Sequence, residues 1–378
     1  MVFSIRVSVI KNAPNALKLF AVLQLVLVVA VLQLRVLVSP DMTVHDDRHV
    51  VLWYNPSIYL QNRPTALARS FDACPAAHCR LTFDLEEAAR AKAVIFDGRR
   101  IAHHYRNFSR PYGQLWVWWA NEPPSKYYET GEGWEEFSGE FNLTMTYHRR
   151  SDVYVPYGKL VPKSPPEPKD FAAVAENKTR SVLWVASNCH TFSWREQYVK
   201  ELQKYIDVDI YGRCSPNMKP WTCGQRHYHD QCFSKLNAYK FYLAFENALC
   251  EDYITEKFFE NYDYDTVMVA RGGVDANYKE IIPEDVYVDA NDFPNPKALA
   301  THLKSLIDDV PRYANMLEKK NVFKNMPYHL IYQSALCQLC DKISYPDMFE
   351  VSRYKSIRDT FHESQFCRHP TDLTKKYR

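Results

Sequence analysis

Three ionisable residues stand out because of what precedes each of them. Arg195 and Lys257 each follow a short apolar run, Val182–Ala186 and Phe241–Phe245, and each falls in the first turns of an expected helix. Cations at that point can grip a diphosphate and offset the charge that builds as it leaves, with help from unsatisfied helix N–H groups. Glu122 follows the aromatic run Leu115–Trp119 and precedes Pro123 and Pro124, which fix the turn and remove backbone donors. A carboxylate on a stiff turn beside aromatic rings can be desolvated enough to serve as a general base. Taken singly, each has a plainer reading, as two solvated surface cations and a loop glutamate. Two further pairs, Asp207-Val-Asp209 and Asp263-Tyr-Asp265, have the D-x-D spacing that can hold Mn²⁺ on a diphosphate, and strand alternation would turn Asp207 and Asp209 to one face.

The elements that must position these residues alternate in type. Val182–Ala186, Val208–Tyr211, Phe241–Phe245, Val267–Ala270 and Val286–Val288 read as short buried strands. Between them lie expected helices: one opened by Ser193 with Glu196 as a capping box, one from about Asp252 to Asn261, and one capped by Asn295-Pro296. That last helix carries Leu299, Leu303, Leu306 and Ile307 on one face. The alternation predicts a parallel sheet with helices on both faces, and ligands beyond the carboxyl ends of its strands. There is no G-x-G-x-x-G and no Walker loop, so side chains and helix ends must handle phosphate. In the first half, Val50–Tyr54, Ala93–Phe96, Leu115–Trp118 and Asn142–Tyr147 read as strands of a second, less regular α/β domain. The Pro- and Lys-rich stretch 160–179 reads as a linker between domains at 50–159 and 180–345, and 346–378 is a tail to which no role is given.

The 378 residues carry a formal net charge of +2, which implies no nucleic-acid-binding face. Residues 17–38 are long enough to cross a bilayer, apolar from Leu19 to Leu34 except for Gln24 and Gln33, and Arg6, Lys11 and Lys18 precede Leu19 with no acid. The positive-inside rule then puts 1–16 in the cytosol, 17–38 in the membrane as a signal anchor, and 39–49 as a stem on the far side. A cleaved signal peptide competes with this reading. Three sequons, at Asn107, Asn142 and Asn177, and ten cysteines, all beyond the anchor, agree with an oxidising lumen. Cys74, Cys79, Cys337 and Cys340 are read as staples joining the two ends of the chain, with zinc as the alternative and the connectivity open.

The segment Phe241-Tyr-Leu-Ala-Phe-Glu-Asn-Ala-Leu-Cys-Glu-Asp-Tyr-Ile-Thr-Glu-Lys257 closely resembles the signature of the α1,3-fucosyltransferases, glycosyltransferase family 10. Two further blocks resemble the family in the family's order, Trp116-Val-Trp-Trp-Ala-Asn-Glu-Pro-Pro124 and Phe141-Asn-Leu-Thr-Met-Thr-Tyr-His-Arg-Arg-Ser-Asp-Val-Tyr-Val-Pro-Tyr-Gly158, and the terminal Cys337-Gln-Leu-Cys340 fits as well. The resemblance implies a GT-B-like fold, two Rossmann-like domains facing a cleft, with the second binding GDP-fucose. It implies that Arg195 and Lys257 hold the diphosphate and Glu256 a sugar hydroxyl. Tyr157, Val185, Ser187, Asn188, Tyr242, Asn247 and Tyr253 would line the donor site, with Glu122 as the base.

The implied reaction is inverting, from β-linked donor to α-linked product, onto the 3-hydroxyl of N-acetylglucosamine in a glycoprotein or glycolipid glycan. It implies no required metal, with Mn²⁺ at most stimulatory, and a Golgi location. Ala248 stands where the family has Ser, and Val267-Met-Val-Ala270 where it has V-P-V-V. Cys189 and Cys250 are more like the invertebrate and core-type members, which hints at invertebrate N-glycans as acceptor. A catalytically inactive glycan- or GDP-fucose-binding relative is the competing expectation.

Overall fold

The apolar runs of the first half pair side by side. In the computed structural model they are β1 (His49–Trp53), β2 (Cys79–Thr82), β3 (Ala93–Asp97), β4 (Leu115–Ala120), β5 (Leu143–Thr146) and β6 (Val153–Tyr154). They form one parallel sheet in the order β2-β1-β3-β4-β5-β6. β3 is buried at every position and β1 and β4 at all but one, the pattern of a sheet covered on both faces. The chain then makes β7 (Leu160–Pro162) and enters a second parallel sheet. Its strands are β8 (Arg180–Val185), β9 (Val208–Tyr211), β10 (Tyr239–Phe245), β11 (Val267–Arg271) and β12 (Tyr287–Asp289), in the order β12-β11-β10-β8-β9. Each sheet grows outward one way from its first strand and then the other way. That leaves a topological switch point between β1 and β3, and another between β8 and β10, where ligands of such sheets bind.

The description covers 46–56, 71–101, 109–128, 139–221, 235–345 and 356–373, except 73, 76, 77, 275, 276 and 363–365, together with Gln24, Val26 and Leu27. The expected tail 1–16, most of the anchor 17–38, most of the stem and Asn107 lie outside the described residues. Among the described residues no helix is long and apolar enough to cross a membrane.

The helices are α1 (Ser125–Tyr128), α2 (Phe171–Glu176), α3 (Arg195–Leu202), α4 (Glu256–Phe259), α5 (Pro296–Asp308), α6 (Val310–Asn321), α7 (Tyr328–Ser344) and α8 (Ile357–Thr360). The Asn295 side chain accepts from Ala298 N–H at 3.0 Å, and Leu299, Leu303 and Leu306 are buried, as the spacing predicts. The expected capping box at Ser193 does not form. α3 starts after Trp194, and Glu196 closes on the backbone and hydroxyl of Thr191 instead, both at 3.0 Å. Ser193 is fully buried and its hydroxyl donates to Glu246 O at 2.6 Å. The helix expected over 252–261 is shortened to α4, capped by Thr255.

Three boundaries need correction. The stretch 160–179 is no loose linker: β7 pairs antiparallel with β13 (Phe323–Asn325), and α2 buries Ala175 in the second core. Two of the chain's passages between lobes thus run on strands bonded to each other. Second, α7 does not belong to the second lobe. Ile331, Tyr332, Leu336 and Leu339 pack on the first sheet against Trp53, Ile95 and Trp119. Disulfides Cys74–Cys337 and Cys79–Cys340 fix that return, as the staple reading expected. Third, the described residues beyond 345 are built into the fold. Ile357 and Phe361 join the first lobe's other core, with Trp118 and Tyr127, and Leu373 joins the second lobe's.

Candidate functional site

The switch point of the second sheet is bridged by Arg195. Its guanidinium donates to Phe245 O at the end of β10 (2.7 Å) and to Asn188 O beyond the end of β8 (3.1 Å). The side chain is 4% exposed, and its Nε finds no partner among the described residues. Burial lowers its proton affinity, but guanidinium stays charged. Val185 is half-buried at the end of β8, with Ser187 and Asn188 exposed beyond it. The disulfide Cys189–Cys214 ties this loop to the segment after β9.

Lys257 comes from the other side of the same crevice. Its Nζ donates to Thr255 Oγ1 at 2.7 Å and lies 3.1 Å from both Glu246 Oε2 and Glu256 Oε1. Burial works against its charge, but Glu246 and Glu256 outweigh that and raise its pKa. Glu246, at 0% exposure, also accepts from Thr255 N–H (2.8 Å) and Thr255 Oγ1 (2.9 Å). Burial pushes its carboxyl up against the pull of Lys257. Glu256 is half-exposed; burial works to raise its carboxyl, and Lys257 brings it below the usual range. Asn247 is half-buried, its Oδ1 shielded without a partner among the described residues. Tyr242 is 5% exposed in the core under the crevice, its hydroxyl proton held by burial and by the charge of Glu256.

Glu122 stands on the turn after β4, with both turn N–H groups fixed by one buried acceptor. Tyr127 Oη accepts from Asn121 N (3.1 Å) and Glu122 N (3.3 Å). One carboxylate oxygen faces Arg99 Nη1 at 3.3 Å, and the other accepts from Tyr253 Oη at 3.2 Å. Burial raises Tyr253 well above the usual phenol range, so it stays protonated and donates. This bond joins the base candidate of the first lobe to the loop that leads into α4. Tyr157, half-buried in the crossing segment, donates to Asn121 O and meets the Tyr253 ring edge-on at 6.0 Å between centroids.

The structure thus brings together Glu122, Tyr157 and Tyr253, and separately gathers Arg195, Lys257, Glu256, Asn188 and Asn247 at the strand ends. Residue reading passed over Glu246, Thr255, Arg99 and Asp97. For Glu246 the signal was available, since a carboxylate ending the apolar run Phe241–Phe245 must find partners once buried. The two D-x-D pairs stand elsewhere. Asp209 near the start of β9 accepts from Tyr239 Oη (2.8 Å) and pairs with Arg180 (2.9 Å). Asp265, before β11, pairs with Lys169 at 3.1 Å, and Asp263 accepts from Asn325 N–H at 3.0 Å. These are the amino ends of the strands, away from the crevice.

One other cluster could offer metal ligands: atoms of His148, Glu251 and Asp252 lie within 4.8 Å of one another. His148 Nδ1 accepts from Arg150 N–H at 3.1 Å, which leaves the proton of the neutral ring on Nε2, the atom facing both carboxylates. Arg149 and Arg150 already pair with Asp252 and Glu251, each at 2.9 Å. The cluster is an ion-pair lock between lobes. Among the sequons, Asn142 is corrected. It is 8% exposed between β4 and β5, and its Oδ1 accepts from Trp116 N (3.0 Å) and from Arg110, so a glycan there would disrupt those bonds. Asn177, ending α2, is exposed.

Two family models match this chain. The fucosyltransferase N-terminal model covers residues 45–158, and the C-terminal model of glycosyltransferase family 10 (fucosyltransferase) covers 175–360. The chain is 34% identical over 312 residues to a 3-galactosyl-N-acetylglucosaminide 4-alpha-L-fucosyltransferase of Bos taurus, spanning 81% of this chain and 80% of that one. It is also 34% identical over 326 residues to a 4-galactosyl-N-acetylglucosaminide 3-alpha-L-fucosyltransferase of Homo sapiens, spanning 83% and 79%. Among solved structures, an alpha1,3-fucosyltransferase with GDP shares the fold, with a TM-score of 0.53 at 15% identity over 81% of this chain and 93% of that one.

Proposed function

The chain belongs to glycosyltransferase family 10, the fucosyltransferases, and from that membership we propose that it transfers L-fucose from GDP-β-L-fucose to the 3-hydroxyl of N-acetylglucosamine in a glycan, with inversion. The observation that carries this reading is the bond from Tyr253 Oη to Glu122 Oε2 at 3.2 Å. It ties the carboxylate of one lobe to the loop of the other that leads to Glu256 and Lys257. Glu122 takes the proton of the acceptor hydroxyl as its oxygen attacks the anomeric carbon. The bond from that carbon to the diphosphate breaks on the opposite face, and GDP leaves with the electron pair. Lys257 and the free N–H groups of Arg195 offset the charge on the departing diphosphate. Asn188, Asn247, Tyr242 and Glu256 line the donor side, Glu256 taking a sugar hydroxyl. No covalent enzyme intermediate is needed. The required chemistry uses no metal, and Mn²⁺ is at most stimulatory. The setting is the Golgi lumen, with residues 17–38 as a single-pass anchor.

The test uses residues 41–378 secreted from a eukaryotic host, with labelled GDP-fucose, a glycan panel that includes N-glycan cores and antennae, and EDTA in parallel. Transfer to an N-acetylglucosamine-containing acceptor is expected with and without EDTA. The Glu122→Gln variant should lose on the order of 10²–10⁴-fold in kcat, the contribution of a general base, while binding GDP as the wild type does. A variant that keeps most of its turnover would remove Glu122 from the role. Donor binding without transfer to any acceptor would favour an inactive relative.

A further inference from the structure

The last described residues reach back to the donor crevice. Cys367 is disulfide-bonded to Cys250, and the two are the partners of an antiparallel bridge, flanked by the bonds from Glu251 N to Phe366 O (2.7 Å) and from Arg368 N to Leu249 O (2.9 Å). Five residues on, the Asp372 carboxylate takes both Nε and Nη2 of Arg271 at 2.7 Å. Arg271 ends β11 at 0% exposure, and its remaining arm donates to Ser193 O at 2.8 Å. Ser193 in turn donates to Asn247 O (3.1 Å) and Glu246 O (2.6 Å). Segment 366–372 therefore grips both loops that carry the phosphate-facing cations: 191–195, which delivers Arg195, and 246–253, which leads to Tyr253 and Lys257. The matching C-terminal family model stops at residue 360, short of this segment.

We propose that Asp372 is a positioning residue for the donor. Through Arg271 it fixes Ser193 and hence the entry of α3, and the Cys250–Cys367 bridge holds it in place. This rests on the GDP-fucose reading above. Arg271 is fully enclosed and Asp372 is the carboxylate paired with it, so removing that charge leaves a buried cation to rearrange beside Ser193. The rearrangement falls on donor contacts. Among the described residues, Asp372, Arg271 and Ser193 make no hydrogen bond to β4 or to the turn at Glu122 on the acceptor side.

The experiment measures GDP affinity by calorimetry, together with KM for GDP-fucose and for acceptor, on secreted wild type, Asp372→Asn and Asp372→Glu. Asp372→Asn should weaken GDP and raise the donor KM by about tenfold or more, with the acceptor KM within about twofold, and Asp372→Glu should recover most of the loss. If Asp372→Asn is not secreted folded, the Cys250→Ala/Cys367→Ala double variant should show the same donor-selective loss. Equal GDP affinity in variant and wild type, or parallel increases in both KM values, would overturn the positioning role. A wild type that transfers fucose while the variants behave alike would remove this inference alone. A wild type that binds no GDP would remove the donor reading and this inference with it.

Discussion

At the scale of single residues, the site is held by side chains in costly situations. Trp194 and Asp252 adopt left-handed backbone, φ 48° and 59°, and each immediately precedes a site residue, Arg195 and Tyr253. Such conformations cost of order 1–3 kcal/mol each and persist where surroundings enforce them. Here Trp194 N donates to Thr191 O at 3.0 Å, and the Asp252 carboxylate is gripped by Arg149 and Asn277, each at 2.9 Å. Asp97 shows the electrostatic side. It is 3% exposed at the end of β3, and burial lifts its carboxyl from 3.8 to about 6, with the Glu122 charge adding and Arg99 and Arg100 opposing. Because the folded state binds this proton more tightly, the stabilisation is complete below about 3.8 and is lost as pH rises through about 6. The span of about two units corresponds to about 3 kcal/mol. Asp97→Asn, whose amide oxygen can still accept from Arg99 N–H, should flatten the urea-unfolding free energy between pH 4 and pH 7 and stabilise the protein at pH 7. An unchanged slope would mean that Asp97 titrates normally. Glu122, Arg195 and Lys257 were legible because a polar residue after an apolar strand is where α/β sheets keep their chemistry. The strained backbone was not legible, since neither position is glycine.

At the scale of elements, the second lobe could be read almost strand for strand. Its strands β10 and β11 are buried on both faces, and Phe241–Phe245 and Val267–Ala270 so appear as short unbroken apolar runs bounded by polar residues. β2 was missed because Cys-Arg-Leu-Thr presents one charge in four residues, which Glu87 meets with an ion pair to Arg80 at 2.5 Å. The allegiance of α7 was not legible either, since an apolar helix face does not say which sheet it will meet. The crossing segment offers a sharp test. A β-carbon on Gly158 would lie 2.2 Å from the ring of Phe259, the last residue of α4. Gly158→Ala should therefore cost about 1–3 kcal/mol in urea unfolding, as overpacking does, and weaken GDP binding because the displaced ring belongs to the helix of Glu256 and Lys257. A loss below about 0.5 kcal/mol would show slack at this crossing.

At the scale of the whole molecule, the two long-range disulfides act as one fastening. They span 263 and 261 residues and enclose nearly the same loop, so once either is formed the other closes only the few residues between them. Replacing Cys74 and Cys337 by alanine should cost about 3 kcal/mol, while replacing all four cysteines should cost about 8 kcal/mol, more than twice as much, on the loop-entropy model. Additive, equal losses in urea unfolding would contradict this. The pairing of chain ends was legible as a staple, but its partner-by-partner connection was not, because spacing carries no information on it. The same return of α7 also sets the order of assembly during translation. The sheet that leaves the ribosome first has Trp53, Ile95, Trp119 and Met145 on a face against which α7, residues 328–344, packs. The earlier-made lobe must keep that greasy surface uncovered until the later-made one has emerged, so the half begun first is the half finished last.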